Sequence, residues 1–255
     1  MTTLQLAGVE VPRIGLGTNR LTTASEHVDF VRAAVAEGVR HIDSAHLYSG
    51  GDSERAIGEA LAGASEDVVV ATKGGYRAGE GRPEVLGAQV EQSLRSLRTD
   101  SIPLYYLHRV DPETPLEESL GAIKAYVDRG AIRAVGISEV SAEQIEQARK
   151  VVPIAAVQNR YNVGDREHDH VVDHCEREGI AFVAFYPLRG SGPDVAPAAK
   201  RLGVSENAVK LAWLLQRSPA VLPIPGTLSI DHLRENLAPV ELYPADAAGA
   251  GGGDT

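Results

Sequence analysis

Short apolar runs alternate along the chain with longer stretches in which apolar positions recur every three or four residues. The short runs fall at 13–17, 40–43, 68–72, 102–107, 134–138, 155–158, 181–185 and 221–224, bounded by turn-forming residues, and read as buried strands. The amphipathic stretches fall at 27–37, 53–61, 83–97, 116–129, 142–151, 168–178, 206–216 and 231–237, and read as helices packed on those strands. Start and stop signals agree with them. Pro83 sits at a helix entry, Ser141 precedes Ala142 as a cap with Gln144 three residues on, and Gly130 and Gly179 close their helices.

Strict alternation of strand and helix implies parallel strands joined by crossover helices. Eight such units in about 225 residues predict a closed (β/α)8 TIM barrel rather than an open doubly wound sheet. The opening LQLAGVEVP reads as a β-hairpin capping the bottom of the barrel. A single domain is expected over 1–243, followed by a Gly-rich tail at 244–255 expected to be disordered.

In such a barrel, chemistry is built at the C-terminal ends of the strands. Asp43, Lys73 and His108 follow the second, third and fourth apolar runs, and Tyr48 comes one short loop after Asp43. A carboxylate, an amine, an imidazole and a phenol on one rim make a proton-transfer set. A free phenol is too weak an acid at neutral pH, and an ammonium beside it favours the phenolate. Lys73 is therefore expected to lower the pKa of Tyr48, Asp43 to hold Lys73, and His108 to orient a carbonyl oxygen. Taken singly, each residue also has an ordinary explanation: a turn Asp, a solvated Lys, a hydrogen-bonded structural His. Their placement in consecutive units is what favours the functional reading.

Composition narrows the classes. Lys+Arg number 25 against 35 Asp+Glu, a net charge of −10, with no basic stripe, so nucleic acid is an unexpected partner. The single cysteine, Cys175, excludes a disulfide scaffold. No basic segment leads into an apolar one at the N-terminus, and no run has the length of a membrane span, so a cytoplasmic protein is expected.

Several motifs, in order, carry a resemblance that covers most of the chain: HIDSAHLYSGGDSERAIGEAL, VVVATKGG, LYYLHRVDP, AVGIS, VQNRYN, AFYPL and IPGTLSIDHLRENL. The chain resembles the aldo-keto reductases and, within them, bacterial reductases of pyridoxal-like aldehydes. The resemblance implies an (α/β)8 barrel, NADPH (with NADH as the alternative) and no metal. It further implies hydride transfer to an aldehyde or ketone, with Tyr48 as general acid supported by Lys73, Asp43 and His108.

It also implies the cofactor contacts. Ser138 and Gln158 match positions that hold the nicotinamide carboxamide, and Phe185 matches the aromatic that stacks on the nicotinamide. Thr18, Pro187 and Leu188 match cleft positions. Thr227 matches a hydroxyl near the 2′-phosphate, and Glu235 and Asn236 match the pair at the adenine. The chain departs from the family at Glu139, where Asn is usual, and at Gly226 and His232, where many members carry basic residues on the 2′-phosphate. On the substrate side, Asn19, Gly75 and Arg109 stand where familiar members carry Trp, and Arg20 and Arg189 are expected on the same rim. Fewer aromatics and an added guanidinium predict a small polar or anionic aldehyde or ketone, with a monomer or weak oligomer expected.

Other readings stay open at this point. One is a Schiff-base lyase with Lys73 as nucleophile. Another is a metal-dependent hydrolase built on His41 with Asp43, or on His170 with His174. A third is a non-catalytic subunit that senses nicotinamide nucleotide on the same barrel. For the arginines, the ordinary alternative is pairing with acids such as Asp111.

Overall fold

The computed structural model describes residues 3–63, 67–190, 192 and 194–238. The predicted tail at 244–255, and the last residues of the predicted domain, lie outside the described residues. The chain opens with a hairpin, β1 (Thr3–Leu6) paired antiparallel to β2 (Val9–Pro12). Ala7 and Gly8 both have positive φ (51° and 79°), the conformation a two-residue turn between twisted strands requires. Leu6 and Val11 from this hairpin pack with Val69, Leu104, Ala181 and Leu222 of the barrel interior, so the hairpin plugs one barrel end.

Eight parallel strands follow in sequential order: β3 (Leu16–Gly17), β4 (His41–Asp43), β5 (Val69–Gly74), β6 (Ile102–Leu107), β7 (Ile132–Ser138), β8 (Ile154–Arg160), β9 (Ala181–Phe185) and β10 (Val221–Pro223). The first and last meet. Gly15 N–H donates to Pro223 O at 3.0 Å, Gly17 N–H donates to Pro225 O at 3.2 Å, and Gly17 bridges Gly226. A Cβ on Gly17 would lie 2.8 Å from Ile224 O, so this seam closes only around glycine. The sheet is thus a closed barrel, and its seam strands are shorter than their apolar runs because close backbone approach replaces a full ladder.

Each strand is buried on both faces, which is why it reads as a near-continuous apolar run. Val69, Ala71, Leu104, Ala156, Val183 and Leu222 point inward. Ile42, Val70, Tyr105, Val135, Val157 and Phe182 point outward against the helices. The helices are α1 (Ser25–Ala36), α2 (Asp52–Ala60), α3 (Pro83–Leu97), α4 (Leu116–Asp128), α5 (Ala142–Arg149), α6 (Asp169–Glu178), α7 (Ala196–Leu202), α8 (Glu206–Arg217) and α9 (Ile230–Leu237). α5 begins with a reciprocal capping box between Ser141 and Gln144, α3 carries Pro at its start, and α6 ends on left-handed Gly179.

Two expectations need correction. β5 extends two residues beyond its predicted end, so Lys73 lies within the strand and points into the barrel instead of following it. The segment after β9 is not only a loop: it forms α7, a seven-residue helix on a satellite cluster of Val195, Ala198, Ala199 and Val209.

Candidate active site

The predicted rim residues meet at the C-terminal end of the barrel, around a cleft of about 600 Å³. Its floor is set by strand register. Inward-facing Asp43 ends β4, and one turn later Tyr48 opens a 3-10 turn (Tyr48–Gly51) with its N–H on Ala45 O. Lys73 is fully buried; its Nζ donates to Asp43 Oδ1 and to Ser44 O, each at 2.6 Å, and approaches Tyr48 Oη at 3.5 Å. Gln158 Nε2 donates to the other Asp43 oxygen at 2.7 Å. Both carboxylate oxygens are therefore paired, as a buried charge requires. His108 stands edge-on to Tyr48 with ring centroids 6.1 Å apart, so the phenol and the imidazole flank one cleft position.

The electrostatics follow from burial. Burial alone would lower the pKa of Lys73, but the Asp43 carboxylate and Tyr48 carry it above the ordinary value, so the ammonium is held charged. Burial lowers the pKa of His108 to about 2, aided by the Lys73 and Arg109 charges, so its imidazole is neutral. Its Nδ1 is buried without a hydrogen-bond partner among the described residues. For Tyr48 the expected direction is reversed. Burial raises its pKa more than Lys73 lowers it, and Asp43 adds to the rise. The reason is geometric: Lys73 makes its short bonds to Asp43 and Ser44, and Tyr48 receives the longest. The phenol therefore rests protonated, the state a proton donor needs.

These facts weigh on the rival readings. A Schiff-base nucleophile needs a neutral amine, whereas Lys73 is buried in an ion pair that favours the ammonium. Among the described residues no group of three or more His, Cys, Asp or Glu could hold a metal. His41 Nδ1 donates to Val69 O inside the barrel, and His174 pairs with Glu146 on the outside.

The residues expected at the cofactor divide. Thr18, Ser138, Gln158, Phe185, Pro187, Leu188 and Gly226 line the cleft. Thr18, however, engages its hydroxyl within the protein, donating to Asp43 O and lying 2.8 Å from Ser53 Oγ. Thr227, His232, Glu235 and Asn236 do not line it; they lie beyond Gly226, on the turn into α9 and on α9 itself. The Thr227 hydroxyl accepts from Ser229 N–H, Asn236 is buried, and His232 is exposed. Glu139, the residue that replaces the usual Asn, has φ 56° and accepts from Arg160 N–H through its carboxylate.

On the substrate side Asn19, Arg20, Arg109 and Arg189 line the cleft, but Gly75 does not. A Cβ on Gly75 would face Leu107 and Leu86, toward the helix layer. The next residue, Tyr76, enters the cleft instead, 43% exposed, with its ring 4.8 Å from that of His108. Tyr186, 39% exposed and at φ 52°, lines the other side against Phe185. The expectation of a cleft poor in aromatics is thus corrected by two tyrosines. Both come within two residues after a strand ends, where strand alternation has stopped and the face of a side chain cannot be read from the pattern. Asp111 is not the partner of Arg109: its carboxylate accepts from the N–H groups of Gly79, Gly81 and Glu113 and from the Thr114 hydroxyl.

Comparison with known proteins identifies the family. Residues 13–193 match the model of the aldo/keto reductase family. Pyridoxine 4-dehydrogenase of Escherichia coli is 35% identical over 94% of this chain and 93% of its own. The crystal structure of the thermostable aldo-keto reductase Tm1743, in complex with the inhibitor epalrestat, superposes with a TM-score of 0.88 at 32% identity, over 98% of each chain. An aldo/keto reductase of Klebsiella pneumoniae, in complex with NADP and acetate, superposes at 0.85 and 26% identity, over 97% of this chain and 93% of its own. Sequence and fold agree, and the chain belongs to the aldo/keto reductase family of oxidoreductases.

Proposed function

We propose that the protein is an NADPH-dependent reductase of small polar aldehydes or ketones, with Tyr48 as the proton donor. The observation that carries this reading is the floor of the cleft, where a protonated phenol lies 3.5 Å from a buried, ion-paired ammonium and faces a neutral imidazole. NADPH supplies hydride to the carbonyl carbon when bound. The cleft fits its nicotinamide end: Ser138 and Gln158 present polar groups and Phe185 a ring at the cleft wall. Beyond Gly226, on α9, His232 is exposed, while Arg234 is engaged with Glu37 and Asp231. A lone histidine grips a phosphate less firmly than a bidentate arginine clamp, so NADH use is the natural alternative.

In this scheme the neutral His108 orients the carbonyl oxygen toward Tyr48, Tyr48 gives its proton to that oxygen, and Lys73 stabilises the phenolate left behind. Asp43, held by Gln158, keeps Lys73 in place. The E. coli relative makes pyridoxal and pyridoxine the first compounds to try. The test is cofactor binding by calorimetry, followed by loss of nicotinamide absorbance with a panel of aldehydes and ketones. Tyr48→Phe should lower turnover by about 10²–10⁴-fold, the usual contribution of a positioned general acid, and leave the Kd for NADPH within about twofold.

A further inference from the structure

We propose that Tyr76 and Arg109 form a subsite for a carboxylate carried on a planar, ring-bearing carbonyl compound. This rests on the reductase reading and narrows its substrate class.

The first observation is an unpaired cation. Among the described residues Arg109 makes no ion pair, and the acid nearest in sequence, Asp111, is fully engaged by backbone and Thr114 donors. Arg109 Nη1 donates to His108 O at 2.7 Å and to Ser138 Oγ at 3.3 Å. Those bonds fix the guanidinium at the cleft wall beside the reacting position. Among the described residues Nε and Nη2 make no hydrogen bond, and two parallel N–H groups on that edge match a carboxylate bidentately.

The second observation is an exposed aromatic held in place. The Tyr76 ring lies 4.8 Å from that of His108, tilted by 56°, and 5.3 Å from the Arg109 guanidinium. An apolar ring so exposed, next to a catalytic imidazole, offers a stacking face to a planar ligand. The third observation is that both residues are pre-positioned. Glu80 accepts from the N–H groups of Tyr76 and Arg77, Gln89 accepts from Gly75 N–H, and Asp111 ties the loop after β6 to Gly79 and Gly81 of the loop after β5. Burial would raise the Asp111 pKa, but those backbone donors hold it down at about 2, so the tie persists across the physiological range. The two loops form one platform, presenting a ring and a cation to the same cleft.

The experiment compares carboxybenzaldehydes (2-, 3- and 4-isomers) with their methyl esters and with aliphatic aldehydes, in wild type, Arg109→Gln and Tyr76→Leu. A charge-assisted bidentate pair predicts a kcat/KM preference of about tenfold or more for the best acid over its ester. Arg109→Gln should bring that ratio close to one. Tyr76→Leu should lower kcat/KM for acid and ester alike, relative to aliphatic aldehydes. In parallel, benzoate is titrated by calorimetry into the NADP-loaded protein, and Arg109→Gln should weaken it about tenfold while changing the Kd for NADPH less than about twofold. Equal turnover of acid and ester by wild type overturns the subsite, as does a preference that survives in Arg109→Gln, or an equal loss of NADPH and benzoate affinity. If no aldehyde is reduced, the reductase reading fails, and benzoate binding still decides the subsite.

Discussion

The floor and the rim of the cleft are built on different principles. The floor is strand. Asp43, Lys73 and Gln158 sit on three strands of one closed barrel, and every polar atom joining them is paired inside the protein. The rim is loop. Arg20, Tyr76, Arg109, Tyr186 and Arg189 line its opening, and its three arginines carry no carboxylate partner among the described residues. The difference assigns tasks. A buried, fully paired cluster holds charge and proton in fixed places, whereas unpaired cations and exposed rings await a ligand. On the proposed reading, chemistry belongs to the floor and selection to the rim.

The sharpest way to break this division is to remove charge from the floor. Lys73→Met leaves Asp43 buried without its counter-charge, and breaking such a pair costs about 3–5 kcal/mol of stability, alongside loss of turnover. Adding Asp43→Asn should recover part of that stability, because the two residues act as a unit. Urea unfolding of the singles and the double checks this. Additive losses would mean that the pair is not coupled as its 2.6 Å contact implies.

His108 gives a smaller effect with a defined sign. Its pKa falls from 6.5 to about 2 on folding, so the unfolded chain binds the extra proton at mildly acidic pH. Stability from the neutral imidazole is fully present above pH 6.5 and is lost as pH falls below it, with a slope of about 1.4 kcal/mol per pH unit for the one proton. His108→Asn should flatten the stability profile below that pH by this slope. An unchanged profile would show that His108 protonates as easily folded as unfolded.

On the rim, Asp111→Ala should loosen the two-loop platform. The expected result is a KM several-fold higher for aromatic acids, with much smaller change for aliphatic aldehydes, read in steady-state kinetics. The smallest effect is expected at Glu139, held at φ 56°. Asn tolerates that conformation better, so Glu139→Asn should stabilise by up to about 1 kcal/mol in thermal or urea melts. A destabilised variant would show that the carboxylate bond to Arg160 N–H outweighs the strain.

The same division separates what the sequence made legible from what it hid. The barrel was readable because strands buried on both faces leave uninterrupted apolar runs, and because Ser141 with Gln144, Pro83 and Gly179 mark helix ends by their own chemistry. Asp43, Lys73 and His108 were readable for the same reason, lying at the ends of those runs. α7 was hidden because seven residues with a proline at the start carry too little periodicity to stand out. Tyr76 and Tyr186 were hidden because Gly75 and Tyr186 itself adopt positive φ just where the strands end. The direction of the Tyr48 pKa was hidden because it depends on how Lys73 divides its bonds, which spacing along a chain does not record.

The claim that the floor performs the chemistry meets its most direct test in single-turnover kinetics. Wild type and Tyr48→Phe, each saturated with NADPH, are mixed with a reducible aldehyde, and the decay of nicotinamide absorbance is followed. The expected result is a hydride-transfer step slowed by about 10²–10⁴-fold in Tyr48→Phe with cofactor affinity retained. A wild-type rate in that variant would mean that the proton comes from elsewhere, and would contradict the assignment of Tyr48.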